Sequence, residues 1–237
     1  MKIEVLYSEC ANLYGDLMNV TYLQQSCPDI QVVNTALKEP PRFLTEEIAL
    51  VYLGSTTEKG QALISAALMP YRTALIQKIE AGQPFLVTGN ALEIFGRDIT
   101  ADDGRQVTGL DLFGTQARQK MLARYNSLYL GKFEEADIVG FKSQFGHSYG
   151  ASGLPPLFET VRGDGLCPGE SGEGVRWNHF MATYLIGPLV ILNPPFAKYL
   201  LRLMGVEQPQ LAFEDAAYDA YLQRVAEFQK PETGFLY

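Results

Sequence analysis

The first 110 residues alternate between short apolar runs and segments with helical spacing. The apolar runs predict strands over residues 3–7, 30–34, 48–53 and 84–88, and the intervening patterns predict helices over 15–25 and 60–81, the second bent at Pro70. The continuous apolar run 48–53 is typical of a strand that is covered on both faces. This alternation predicts an α/β fold, a three-layer sandwich with a mostly parallel central sheet.

The second half of the chain has a different pattern. Strands are predicted over 125–130, 138–141 and 181–185, and helices over 194–204 and 213–229. Residues 143–174 are rich in Gly, Pro, Ser and charge, so we expect a loop that either closes over the sheet edge or forms a surface connection. Neither a repeat nor a linker interrupts the pattern, which predicts a single domain over 1–237.

Composition narrows the function classes. The chain has 237 residues and a net charge of −8, and without a Lys/Arg cluster this argues against a nucleic-acid partner. No apolar run approaches the roughly 20 residues of a membrane span, and no signal peptide is visible. Three cysteines and two histidines without metal-ligand spacing predict no metal site and no cofactor, and favour a reducing, cytoplasmic location.

Polar residues follow the predicted strands at three places. They lie in residues 8–12, in residues 54–58 and in the tight turn after residue 88, where strand 84–88 runs directly into a short helix over 90–95. Ligands of parallel α/β sheets bind outside the carboxyl ends of the strands. A sharp strand–turn–helix elbow can also hold a nucleophile at a helix N-terminus. We predict Thr88 at the apex of this elbow.

Four segments together resemble a known family. They are Asn-Leu-Tyr-Gly-Asp-Leu-Met-Asn at 12–19, Gly-Ser-Thr-Thr-Glu-Lys-Gly-Gln at 54–61, Gly-Phe-Lys through Gly-His at 140–147, and Thr-Tyr-Leu-Ile-Gly-Pro-Leu with Asn-Pro at 183–194. In this order they are similar to motifs of the class I glutamine amidotransferases, CobB/CobQ type, and most of all to glutaminase subunits of the GatD type. The resemblance implies a flavodoxin-like fold.

The resemblance also implies glutamine hydrolysis by a Cys nucleophile and a His base, and here the sequence departs from the family. The nucleophile position falls on Thr88 and the base position on Ile186, and the family's glycine-rich loop keeps only Gly54. A threonine has no thiolate to populate, and isoleucine accepts no proton. We therefore predict loss of glutaminase activity. The positions that the resemblance assigns to ligand binding are Asn12, Tyr14, Asp16, Asn19, Gly54, Gly89 and Asn90.

The sequence is compatible with three functions. The resemblance implies a Mur-ligase-like synthetase as partner, in peptidoglycan or cobyric acid-type synthesis, with this chain as a non-hydrolytic subunit that binds glutamine or another small amino acid. An alternative is an active amidotransferase with a relocated nucleophile, either Cys10 or a Thr88–His147 pair. A third is an interaction module that binds no ligand.

Overall fold

The main sheet of the computed structural model, which describes residues 1–150 and 153–237, has six strands. Its order is β13-β14-β4-β3-β1-β2, and all neighbours are parallel except the edge pair β13–β14. This confirms the predicted α/β fold with a mostly parallel sheet. The strands are β1 (Lys2–Leu6), β2 (Gln31–Thr35), β3 (Leu50–Leu53), β4 (Phe85–Thr88), β13 (Val175–Trp177) and β14 (Phe180–Thr183).

Helices cover the sheet on both faces. β3 and β4 are buried at every position, as the continuous apolar run of β3 predicts. Two apolar clusters lie on opposite faces, one containing Leu86 and Leu200, the other Val87 and Ile64. The α-helices are α1 (Leu17–Ser26), α2 (Glu58–Leu68), α3 (Arg72–Glu80), α4 (Leu189–Leu192), α5 (Pro194–Leu203) and α6 (Glu214–Gln229), with 3₁₀ turns at Arg42–Leu44, Met69–Tyr71 and Gly89–Phe95.

Two smaller four-stranded sheets pack beside the main one. One has the order β10-β7-β5-β6 and the other β12-β11-β8-β9. The longest pairing joins β8 and β9 in a hairpin over nine residue pairs. The strands are β5 (Asp98–Thr100), β6 (Gln106–Thr108), β7 (Gln116–Gln119), β8 (Tyr125–Phe133), β9 (Ala136–Gln144), β10 (Gly146–Tyr149), β11 (Phe158–Arg162) and β12 (Gly172–Glu173).

The structure corrects two elements predicted from the pattern. The helix expected over 60–81 is two helices, because a 3₁₀ turn containing Pro70, which lacks a backbone donor, separates α2 from α3. The loop expected over 143–174 carries the end of β9 together with β10, β11 and β12. β10 pairs with β7, β11 pairs with β8 and β12 pairs with β11, so tertiary pairing outweighs the Gly/Pro-rich composition. Residues 151 and 152 of that segment lie outside the described residues.

Within the described part of the chain, the helices are too short or too polar to cross a lipid bilayer.

Candidate functional site

The turn after β4 has the geometry of an elbow, but its apex is not Thr88. Thr88 ends the strand with extended backbone angles (φ −119°, ψ 151°). The next residue, Gly89, has φ +64°, a left-handed conformation that favours glycine. The expectation that Thr88 stands at the apex is therefore corrected: the residue at the turn is Gly89, which carries no side chain.

The space in front of Gly89 is filled. A Cβ atom built on Gly89 would lie 2.0 Å from Ser55 Oγ and 3.2 Å from Ile186 Cγ2. Ser55 is fully buried, and Ile186 is half-buried. A side chain at position 89 would therefore require its neighbours to move, in addition to the strain of positive φ.

Ser55 is held in that place by the buried carboxylate of Asp16. The backbone N–H of Ser55 donates to Asp16 Oδ2 at 3.2 Å and its hydroxyl to Oδ1 at 3.3 Å. The backbone N–H groups of Gly187 and Tyr14 donate to the same carboxylate, each at 3.3 Å. Burial raises the pKa of the Asp16 carboxyl, and the N–H donors of Tyr14, Gly187 and Ser55 partly offset this.

Thr88 and Asn19 belong to a hydrogen-bond network below the turn. The hydroxyls of Thr88 and Tyr52 are 2.9 Å apart, and the Asn19 amide donates to Tyr52 Oη at 3.0 Å and to the Gly187 carbonyl at 2.9 Å. Asn19 Oδ1 also accepts the Val190 N–H. Thr88 and Asn19 are buried, so these two predicted site residues connect β3, β4 and α1 rather than facing solvent.

Of three other predicted ligand residues, Asn12 and Asn90 have hydrogen-bond partners inside the protein and Gly54 is closely packed. Asn12 Oδ1 accepts the N–H of Leu17 at the start of α1. The Asn90 amide both donates to and accepts from the backbone of Thr56, which ties the turn to the residues after β3. Gly54 permits a close approach, since a Cβ there would lie 2.7 Å from the Ala11 carbonyl oxygen and 2.9 Å from Asp16 Cβ.

The two alternative arrangements, Cys10 as a relocated nucleophile and His147 as a base for Thr88, receive no support from the contacts of these residues. Burial, followed by the charge of Glu9, raises the pKa of the Cys10 thiol, which disfavours a thiolate. His147 lies in β10, where its Nδ1 is 3.3 Å from the Gln144 amide nitrogen and its ring packs edge-on against Tyr125. Burial also lowers the pKa of His147. Among the described residues, no hydrogen bond joins His147 to Thr88 or Cys10.

A small cavity of about 260 Å³ remains beside the turn. Tyr14 and Asn90 line it, as expected of ligand residues, together with Arg124, which lies outside the four family-like segments. The Arg124 guanidinium lies 4.6 Å from the centre of the Phe145 ring and has no carboxylate partner among residues 1–150 and 153–237. Nothing in the local sequence marks Arg124, because only the fold brings the residues before β8 next to the elbow.

The fold is that of glutamine amidotransferases. The structure of PurLQS from Thermotoga maritima matches with a TM-score of 0.56 at 11% identity, over 94% of this chain and 98% of that one. A crystal structure described as a glutamine amidotransferase matches with a TM-score of 0.54 at 14% identity, over 86% of this chain and 99% of that one.

Sequence similarity identifies the family within the glutamine amidotransferases. Residues 2–190 match the family model of the CobB/CobQ-like glutamine amidotransferase domain, and the chain belongs to this family. It is also 26% identical over 214 residues to the Staphylococcus aureus (strain N315) lipid II isoglutaminyl synthase (glutamine-hydrolyzing) subunit GatD, covering 90% of this chain and 87% of that protein. The predicted family is thereby confirmed.

Proposed function

We propose that this chain is a GatD-like amidotransferase homologue without glutaminase activity, and that it acts as a non-hydrolytic, ligand-binding subunit of a Mur-ligase-like amidating synthetase. The proposal rests on one observation: Ser55 occupies the space at the elbow where the side chain of a nucleophile would lie. A nucleophile raised by a strand-to-helix elbow occupies the strained residue of the turn. That residue is Gly89, and Ser55 Oγ lies where its side chain would begin.

Acyl transfer also needs a general base and free oxyanion-hole donors, and Ile186, Ser55 and Gly187 beside the elbow provide neither. Ile186, the nearest side chain across the elbow after Ser55, has no atom that accepts a proton. The backbone N–H groups of Ser55 and Gly187, next in sequence to Gly54 and Ile186, both donate to the Asp16 carboxylate. An oxyanion needs such donors free and preorganised. A carboxylate already bound to them would repel a developing negative charge.

Ser55 itself is a poor substitute nucleophile. Its hydroxyl contacts a carboxylate that could accept the proton, but the side chain is fully buried and does not line the cavity beside the turn. Substrate access requires that the reacting oxygen reach a cavity, because the attack distance is about 3 Å. Cys10 is also a poor nucleophile, because burial raises the pKa of its thiol and disfavours the thiolate.

The remaining cavity supports the ligand-binding part of the proposal. Arg124 presents a guanidinium that forms no ion pair with any described residue, and such a group binds carboxylates through paired hydrogen bonds. Asn90 and Tyr14 line the same cavity. A free amino acid of the size of glutamine or glutamate has the carboxylate and the polar side chain that this arrangement accommodates.

Ammonia release from glutamine tests the loss of activity, with the purified chain assayed alone and with a co-expressed Mur-ligase-like subunit from the same source. We expect no release above the buffer rate in either case. Turnover that disappears in Cys10→Ala or in Ser55→Ala would overturn the proposal and would identify the nucleophile.

Size-exclusion chromatography of the same co-expressed pair tests the partner. Co-elution supports a subunit role, whereas separate elution at concentrations well above those in the assay contradicts it. Calorimetric titration with glutamine and glutamate tests the ligand, and absence of heat for both would favour a pure interaction module.

A further inference from the structure

A second cavity, of about 380 Å³, lies between α2 and the small sheet formed by β5, β6 and β7. Its size falls in the range of small-molecule sites, which are mostly apolar with a few converging polar groups. Ala62, Ile99, Val107 and Met121 supply apolar walls, and the amide side chains of Gln61 and Gln119 also line it.

The orientation of the Gln119 amide is determined by its buried partners. Its Nε2 donates to Glu93 Oε2 at 2.9 Å and to Gln61 Oε1 at 2.8 Å, which uses both N–H bonds. Glu93 also accepts from the Gln61 amide at 2.8 Å and from Tyr184 Oη at 3.1 Å. Reversing the Gln119 amide would place its oxygen against two acceptors, so the nitrogen must face Glu93.

Gln119 Oε1 is therefore the free end of this network. Gln119 is 6% exposed, and its Oε1 accepts no hydrogen bond from the described residues. Gln119 lines the cavity, and this oxygen is not among the buried atoms that lack a partner, from which we infer that Oε1 is the polar atom that Gln119 presents to the cavity. A directed acceptor in a mainly apolar cavity discriminates between ligands with and without a donor.

We propose that this cavity is a binding site for a small, mainly apolar molecule that donates one hydrogen bond to Gln119 Oε1. The site is separate from the elbow, although Glu58 of α2 borders both cavities. The lining carries no net charge, because Glu58 and Lys59 have opposite charges and Arg105 is paired with Asp103. The chemistry therefore favours a neutral ring with a single N–H or O–H group.

Indole and indene form a matched pair of probes, because they have nearly the same shape and only indole carries an N–H donor. Each is titrated into the ¹⁵N-labelled full chain and followed by two-dimensional NMR. We expect indole to shift the Gln119 side-chain amide and the Ile99 and Val107 backbone amides saturably. Indene should bind about five-fold more weakly, the value of one neutral hydrogen bond of about 1 kcal/mol.

Filling the cavity tests where the probe binds. Ala62→Phe places a ring in the cavity, whereas Ala66→Phe makes the same change on the exposed face of α2. Indole binding should be lost in the first variant and retained in the second. Val107→Trp with Thr108→Trp as its control repeats the test from β6, should Ala62→Phe fail to fold.

Three results would overturn the proposal. They are equal affinity for indole and indene, undiminished indole binding in a folded variant with a filled cavity, and no saturable shift up to the solubility limit of indole.

Discussion

Two buried glutamates show opposite ways of accommodating a carboxylate away from water. Glu173 contacts the ammonium of Lys142, and both side chains are almost completely buried. Lys142 donates further to the Asp164 and Gly165 carbonyls, and Glu173 accepts from Thr183 and from the Tyr184 N–H. Every polar atom of this ion pair therefore has a partner.

Glu93 has no cationic partner among residues 1–150 and 153–237. Its three donors are the neutral side chains of Gln61, Gln119 and Tyr184. Burial raises the pKa of Glu93 to about 7, and the three donors only partly offset this. The contrast shows that donors alone satisfy the geometry of a carboxylate, whereas a buried charge requires an opposite charge to remain ionised at low cost.

The largest effect on stability is expected from breaking the buried ion pair of Lys142 and Glu173. Lys142→Met leaves Glu173 buried without its cation, and such a change costs about 3–5 kcal/mol of the free energy of unfolding. Urea unfolding measures the loss.

Two further variants control this prediction. Lys132→Met removes an exposed partner of Asp137 and should cost less than about 1 kcal/mol. The double variant Lys142→Met/Glu173→Gln should recover part of the loss, because it removes both charges. A double variant as unstable as Lys142→Met alone would contradict the role given to charge pairing.

Removing the charge at position 93 should increase the free energy of unfolding, whereas breaking the ion pair decreases it. The ordinary pKa of glutamate is 4.5 and that of folded Glu93 is about 7. Between these values the folded state binds the extra proton, so this carboxyl stabilises the protein below pH 4.5 and the contribution is lost as pH rises through 7. Glu93→Gln should therefore raise the free energy of unfolding at pH 8 by up to about 3 kcal/mol.

The amide that Glu93→Gln introduces can preserve the network, with its oxygen accepting from Gln61 and Gln119 and its nitrogen donating to Tyr184. Urea unfolding from pH 5 to 8 should show a smaller fall in stability for Glu93→Gln than for the unaltered chain. Glu58→Gln, a change at a nearby carboxyl that is not enclosed, is the control. A fall of equal size in Glu93→Gln would contradict the prediction.

Asp16 is a third case, in which backbone N–H groups supply most of the donors. Thr88 lies at the margin of this site, 3.5 Å from Asp16 Oδ1 and 2.9 Å from Tyr52 Oη. Thr88→Val removes one hydroxyl at nearly constant volume and should cost about 1 kcal/mol. Thr88→Ser, which keeps the hydroxyl, should retain most of that hydrogen-bond energy in the same unfolding measurement.

The smallest effect on stability is expected at Arg124, a cation that contacts no carboxylate in the described part of the chain. Arg124 is exposed, so Arg124→Gln should change the free energy of unfolding by no more than about 0.5 kcal/mol. Its effect should appear instead in calorimetric titration with glutamate, where binding weakens. Arg118→Gln, an exposed arginine on β7 outside the elbow cavity, should leave that binding unchanged.

The sequence alone determined the alternation of strands and helices, the parallel sheet and the family. Apolar runs such as 48–53 and motifs such as 12–19 are local features that do not depend on the rest of the chain. That Gly89 rather than Thr88 stands at the turn, and that Ser55 fills the space before it, only the tertiary structure decided.

The same holds for Glu93, Gln119 and Arg124, which have no distinguishing local pattern. Each acquires its role from partners distant in sequence: Gln119 reaches Gln61 across 58 positions, and Gly187 reaches Asp16 across 171. Backbone periodicity records which face of an element is buried, but not which polar atoms meet inside the fold. These contacts between polar atoms determine whether the elbow has room for the side chain of a nucleophile.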